Sequence, residues 1–362
     1  MRDSNNLENQ AGNRNEGSIE QLRLDIAAEY GKRATAGKTN MLIAGLGGGL
    51  DVVNATSMYF MAKAQGIDAT LGSIKSQSIE QIVGGTRVHD SAAWIHPDSS
   101  FADLGPRRRY CEAQLARVLG ESILYFGQRV GDGYNIGSLR GAIKRAAQQY
   151  GFTHMLFVDC GGDSLTFLPS DATEYSGTSD PFVGGDARSL EALSGVANAH
   201  LGVAAMGLDV DKSGAQANLR YLSIRNQTLG KLDLRFGESG ETREYRFPID
   251  FNAQGIQEYL NVVESIVKLK PEDEHDSKKF VSLTAPVLYH AIRGNYGPQY
   301  TAARWAQGQS GTVDVELSYA QMHIMCADKL HDIKSEINRR SQQRAKIPAA
   351  EADEEENRGG IK

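Results

Sequence analysis

The chain has 362 residues, 40% of them hydrophobic and 23% charged, which is enough to bury a large core and lies between one large domain and two ordinary ones. Its 39 Lys and Arg against 45 Asp and Glu give a formal charge of −6, which argues against broad attraction to nucleic acid or to an anionic membrane. Three well-separated cysteines, Cys111, Cys160 and Cys326, show no zinc spacing and fit a reducing compartment. Met1 to Gln21 has no apolar signal-peptide core, and no run approaches the roughly 20 apolar residues of a membrane helix, so a cytoplasmic protein is expected.

In chain order, residues 1–20 are polar and poor in apolar groups, the composition of a flexible tail. MLIAGL then reads as a short buried strand, the glycines after it as a loop, and VVNATSMYFMAKAQG as a helix closing on Gly66. The basic run Arg107-Arg108-Arg109 beside Pro106 reads as a solvated loop or helix start, and VHDSAAWIHPDSS, with His89 and His96, as a polar loop. SLRGAIKRAAQQYG predicts a helix ending on Gly151, and THMLFVDCGGDS a buried strand that breaks at Gly161-Gly162. GGDARSLEALSGVAN, HLGVAAMGLDVD and GAQANLRYLSIRN continue as helix, strand and helix.

This alternation predicts an α/β, Rossmann-like three-layer fold with a largely parallel sheet covered on both faces. TLGKLDLRFGESGETREYRFPID, about 228–250, reads as an appended β-hairpin around Gly-Glu-Ser-Gly. FNAQGIQEYLNVVESIVKLK is a predicted helix, PEDEHDSKK a charged loop, and AQMHIMCADKLHDIKSEINRR a long amphipathic helix. A single domain over 21–343 and an acidic, disordered tail over 344–362 complete the expected organisation.

In open parallel sheets ligands bind beyond the carboxyl ends of the strands, and acids occupy three such ends here. They are Asp51 after LIAGLGGGL, Asp159 and Asp163 in FVDCGGDS, and Asp209 and Asp211 in GLDVD. Gly47, Gly48 and Gly49 would let backbone N–H groups approach a phosphate or carboxylate at the start of a helix, with Asn54 one turn further on. A dinucleotide fingerprint fails at its third glycine, where Leu50 stands, and no acid is evident at the ribose position. A tight turn with Asp51 capping the helix stays open as the alternative.

In FVDCGGDS two aspartates bracket a glycine turn at the end of an apolar strand, so Asp159 and Asp163 are candidate Mg²⁺ ligands and Asp163 a candidate general base. Gly161, Gly162 and Ser164 would contact the ligand, and a capping Asp163 is the bland alternative. Cys160 has acids nearby and no histidine in its motif, which disfavours a thiolate nucleophile. His200, His290 and His323 stand in apolar contexts and read as core residues. RGNYGPQYT supplies Arg293 and Asn295 as candidate polar contacts, and the Gly-rich stretch from Thr173 to Asp186 is placed to cover a site.

In this order, LIAGLGGGLDVVNATSMYFMAKAQG, FVDCGGDSL with GTSDP downstream, GLDVDKSGAQANLRYL and LYHAIRGNYGPQ resemble a prokaryotic family described as a domain of unknown function, number 1152. The resemblance covers roughly 38–305 and points to Gly47, Gly48, Gly49 and Asp51 in the first loop and to Asp159, Gly161, Gly162, Asp163 and Ser164 in the second. It implies no reaction. GGGLDVVNA is partly similar to the phosphate loop of ATP pyrophosphatases, without its serines, and CGGDSL to the G-G-D-G loop of phosphofructokinase-like kinases, with Ser164 for the last glycine.

The expectation is therefore a metabolic enzyme on a small, phosphorylated or carboxylated substrate, using Mg²⁺ and a nucleotide such as ATP for phosphoryl or nucleotidyl transfer. Asp163 would act as base or ligand, with Asp159 and Asp209 as its electrostatic partners. An NAD(P)-dependent oxidoreductase and a non-catalytic nucleotide sensor are the alternatives. Neither nucleic acid nor membrane is expected as a partner, and homo-oligomerisation is left open.

Overall fold

A computed structural model describes residues 39–47, 50–102, 111–165, 181–208, 228–234, 239–240, 255–267, 284–304, 309–328 and 330, with 216 and 219 singly. Both tails, the Arg107–Arg109 run, and Asp209 and Asp211 lie outside the described residues, as does nearly all of GAQANLRYLSIRN.

The strands are β1 (Asn40–Gly45), β2 (Asp68–Ser78), β3 (Ile82–Val83), β4 (Thr86–His89), β5 (Ala92–Ile95), β6 (Ser100–Phe101), β7 (Ile123–Val130), β8 (Gly133–Tyr134), β9 (His154–Cys160) and β10 (Ala199–Ala204). They continue with β11 (Thr228–Asp233), β12 (Ser239–Gly240), β13 (Gly297–Arg304), β14 (Gln309–Val315) and β15 (Gln321–Cys326). The helices longer than one turn are α1 (Asp51–Ala64), α2 (Cys111–Leu119), α3 (Ile136–Tyr150), α4 (Pro181–Leu193), α5 (Ile256–Val267) and α6 (Thr284–Ile292).

One sheet runs β12-β11-β15-β10-β9-β1-β2-β7-β5-β4, with β8 on β7. Its centre, β10-β9-β1-β2-β7, is wholly parallel, and both flanks are antiparallel. The period of two splits each central strand between two cores. Met41 and Ile43 face one cluster with α1, α2, α5 and α6, whereas Leu42, Ala44 and Leu46 face another with α3 and α4. The predicted three-layer α/β fold is the one observed.

Local chemistry explains the boundaries. Asn135 caps α3 by accepting from Ser138 N at 2.8 Å, and the helix ends on left-handed Gly151 as its sequence predicts. Gly66, just beyond α1, also has a positive φ of 69°. A hairpin from 228 is present as β11 and β12, but Ser239 and Gly240, expected in its turn, are paired opposite Leu232 and Lys231, and residues 241–250, the expected second strand, lie outside the described residues.

Two expectations are corrected. QMHIMC, read as the start of a long helix, is strand β15, inserted antiparallel between β10 and β11. Met322 and Ile324 are buried while Gln321 and His323 are half-buried, so pairing on both sides overrides the helical preference of Met and Gln. VHDSAAWIHPDSS is largely the β4-β5 hairpin at one sheet edge rather than a polar loop. His96 bridges Thr86 and Ser122 side chains at 2.8 Å each. RGNYGPQYT turns at left-handed Gly294 and then enters β13, which pairs with β14 in a separate two-stranded sheet. No described helix is long and apolar enough to cross a membrane.

Candidate functional site

Leaving β1, the chain goes through α1 to β2 on one side, while β9 lies on the other, so the strand order reverses at the β1/β9 boundary. This is the crevice where open α/β sheets bind ligands. The glycine loop after β1 and the FVDCGGDS turn after β9 both border it, joined by Leu46 N donating to Val158 O at 2.8 Å. Gly45 is required by close approach: a Cβ there would lie 2.4 Å from Val52 N, where α1 folds back over the strand end. Gly161 and Gly162 have φ of 122° and 98°, a turn that side-chain-bearing residues resist.

Alternation along β9 sends consecutive residues to opposite faces. Asp159 points to the α4 side and is only 1% exposed. Ser164, in the single turn of 3₁₀ helix after the glycines, holds its Oδ2 through a short hydroxyl hydrogen bond and through the backbone N–H at 3.3 Å. Cys160 packs into the other core, near Tyr259, a setting that fits the reading against a thiolate nucleophile.

The sequence reading missed Asp186. It places GGD at the start of a helix, but α4 begins at Pro181, so Asp186 stands in its second turn, buried and on the same face as Ser189, Leu190 and Leu193. An acid on that apolar stripe was the available signal. Ser189 Oγ donates to Leu46 O at 2.8 Å and accepts from Gln128 Nε2 at 2.9 Å, which pins this face against the end of β1. From α3, Arg140 donates to the carbonyls of Glu191 and Ala192 and ties down the C-terminal turn of α4.

Asp186 consequently lies against Gly47, where a Cβ would be 1.7 Å from its Oδ1. Oxygens of Asp159, Asp163 and Asp186 all lie within 4.8 Å of one another. Asp163 is the half-buried member of the three, the one that solvent or a substrate reaches most readily.

Asp51 belongs to a different cluster. The cap of α1 is Leu50, which makes no side-chain capping bond, and Asp51 Oδ1 instead accepts from Cys160 N at 3.3 Å. Its carboxylate therefore joins the glycine loop to the end of β9. On the same side, Lys75 Nζ is 3.3 Å from Glu112 Oε1, which also accepts from Ser73 Oγ at 2.8 Å. Burial alone would lower the Lys75 pKa, but Glu112, then Cys111 and Asp51, outweigh it and hold the ammonium well above its usual range. Burial, with Glu112 beside it, pushes the Cys111 thiol up.

The remaining sequence candidates separate from the crevice. Asn54 is fully buried, donating to Thr284 Oγ1 and accepting from Tyr259 Oη, both at 3.2 Å, so it links α1 to α6 and α5. Arg293 and Asn295 lie beyond the C-terminal end of α6, opposite the end at which Thr284 meets Asn54. Arg293 meets Glu264 at 3.5 Å, and Asn295 meets the ring of His290 at 3.2 Å. Gly48, Gly49 and Asp209 lie outside the described residues.

Comparison with known families matches residues 42–228 to a family described as protein of unknown function (DUF1152). The chain belongs to that family. The DUF1152 match contains both glycine turns and all three clustered aspartates, but stops before Arg293 and Asn295. No curated protein and no solved structure matches the chain.

Proposed function

We propose that the β1/β9 crevice binds Mg²⁺ on Asp159, Asp163 and Asp186, and that the protein transfers a phosphoryl or nucleotidyl group from a nucleotide such as ATP to a small polar metabolite. The observation that carries this reading is the convergence of three carboxylates, from a strand end, the turn after it and a helix, within 4.8 Å at the strand-order reversal. Two unit negative charges at that spacing repel by about 3.5 kcal/mol at an effective dielectric of about 20, and a divalent cation offsets this.

The donor set fits a hard, oxygen-loving ion. Opposite ligands of Mg²⁺ stand about 4.2 Å apart and those of Ca²⁺ about 5 Å, so the carboxylates are already near ligand spacing. The space left by the missing Gly47 side chain, into which Asp186 fits, supports a built arrangement rather than a chance one. Bound Mg²⁺ would supply charge neutralisation for the phosphate oxygens of the transferred group.

The chain's own residues do the rest. Ser164 orients Asp159, Ser189 fixes the helix that carries Asp186, and Asp163 is the group to take a proton from the attacking hydroxyl. Asp51, held by Cys160 N and accompanied by Lys75, keeps the two loops in register.

Thermal-shift measurements with Mg²⁺, ATP and NAD(H), singly and together, test the reading. Stabilisation by ATP that requires Mg²⁺ is expected, and stabilisation by NAD(H) alone would replace it with a dehydrogenase. Asp163→Asn should abolish turnover and leave the melting temperature near wild type. A nucleotide bound without turnover by the wild-type protein would make the crevice a sensor.

A further inference from the structure

Two arginines at the end of β7 converge on one tyrosine. Arg188 Cζ lies 3.6 Å and Arg129 Cζ 4.4 Å from the ring centroid of Tyr134, so the guanidiniums are no further apart than the sum of these distances, about 8 Å. Arg129 Nη2 donates to Tyr134 Oη at 3.1 Å. Among the described residues neither arginine is ion-paired to a carboxylate, although Asp132 stands in the turn between β7 and β8. Arg188 Nη1 is enclosed with no acceptor among the described residues.

An enclosed guanidinium N–H without an acceptor is costly, and two like charges at this spacing repel each other. Contact with one tyrosine ring offsets only part of this. A multiply charged anion would satisfy both forks at once, and phosphate oxygens match the planar geometry of guanidinium donors. Tyr134 is 38% exposed, so the cluster is open to a ligand from solvent. Partial burial would raise its phenol pKa, yet Arg129 and then Arg188 lower it, a sign of positive potential at the hydroxyl.

We propose that Arg129, Tyr134 and Arg188 form a binding subsite for a phosphate group. β7 is parallel to β1 and β2, so the cluster stands at the same sheet edge as the acidic crevice, and Arg188 is two residues from Asp186 on α4. Residues two apart leave a helix on nearly opposite sides. The subsite therefore takes a phosphate distant from the carboxylates, on the same ligand or on the second substrate. That assignment of roles rests on the proposed group transfer, whereas the binding itself does not.

Titration calorimetry of inorganic phosphate into the full chain, with EDTA present, tests the subsite apart from the metal. Wild type should bind saturably, Arg129→Gln and Arg188→Gln each at least tenfold more weakly, and Arg188→Lys in between because it keeps the charge but loses the fork. Melting curves confirm that each variant is folded. Asp186→Asn should retain phosphate binding while losing Mn²⁺ binding. No saturable binding by wild type, or wild-type affinity in both glutamine variants, would overturn the subsite. Arginine-dependent phosphate binding by a protein that binds no Mn²⁺ would uphold it and remove the metal reading instead.

Discussion

Replacing Gly47 by alanine probes the carboxylate cluster without altering any of its acids. The added Cβ would lie 1.7 Å from Asp186 Oδ1, 2.7 Å from its Cγ and 3.2 Å from Oδ2. Ordinary contact requires about 3.5 Å, so Oδ1 has to move by nearly 2 Å. Metal sites tolerate about 0.2 Å in ligand distance, so the displacement removes Asp186 from any shared ion. Gly47 is not among the positive-φ residues, so alanine suits the backbone and the stability cost should be the 1–3 kcal/mol or so typical of overpacking. Loss of one carboxylate of three should weaken Mn²⁺ binding about 100-fold, or about 2.8 kcal/mol. Mn²⁺ titration followed by electron paramagnetic resonance, beside urea denaturation of the same samples, reads both quantities. Wild-type Mn²⁺ affinity in folded Gly47→Ala would refute the reasoning, and more firmly if Asp186→Asn also bound normally.

Lys75→Met should destabilise the fold by roughly 3–5 kcal/mol, because Glu112 is then left buried without its cation. The double variant Lys75→Met/Glu112→Leu should recover most of that loss in urea denaturation, and no recovery would argue against the pairing. Acid should also destabilise the protein through two histidines lowered to about 4, His200 by burial and then His154, and His323 by burial and then Lys231. Their folded pKa lies below the unfolded value of about 6.5, so protons favour the unfolded chain. Stability is thus complete above about pH 6.5 and falls as pH drops toward 4, by roughly 3 kcal/mol for fully buried His200. Comparing denaturation at pH 7 and 4.5 should show a smaller loss in His200→Asn than in wild type, and equal losses would remove His200 as a cause.

Much of the crevice was legible because its signals are local. MLIAGL and HMLFVDC are apolar over the length of one strand, and glycines follow where the chain must turn sharply, so β1, β9 and the strand-end positions of Asp51, Asp159 and Asp163 could be read directly. The stretch between Gly66 and the hairpin at His89 was less legible. DATLGSIKSQS forms the eleven-residue β2 despite its Gly, Ser and Lys, because it is paired on both sides by β1 and β7. Lys75 became a buried cation only through Glu112, 37 residues away, a pairing that no local pattern encodes.

The sequence alone determined the alternation of strands and helices, the two glycine turns and the acids at strand ends, since backbone conformation and periodic burial depend on near neighbours. Only the tertiary structure sorted the aspartates. It joined Asp51 to the Lys75 and Glu112 side, drew Asp159 and Asp163 to the other face, and brought in Asp186 from α4 to complete their cluster. A side chain's sign and spacing are written in the chain, but which charge it meets depends on the order in which strands pair and on which face of the sheet each helix covers.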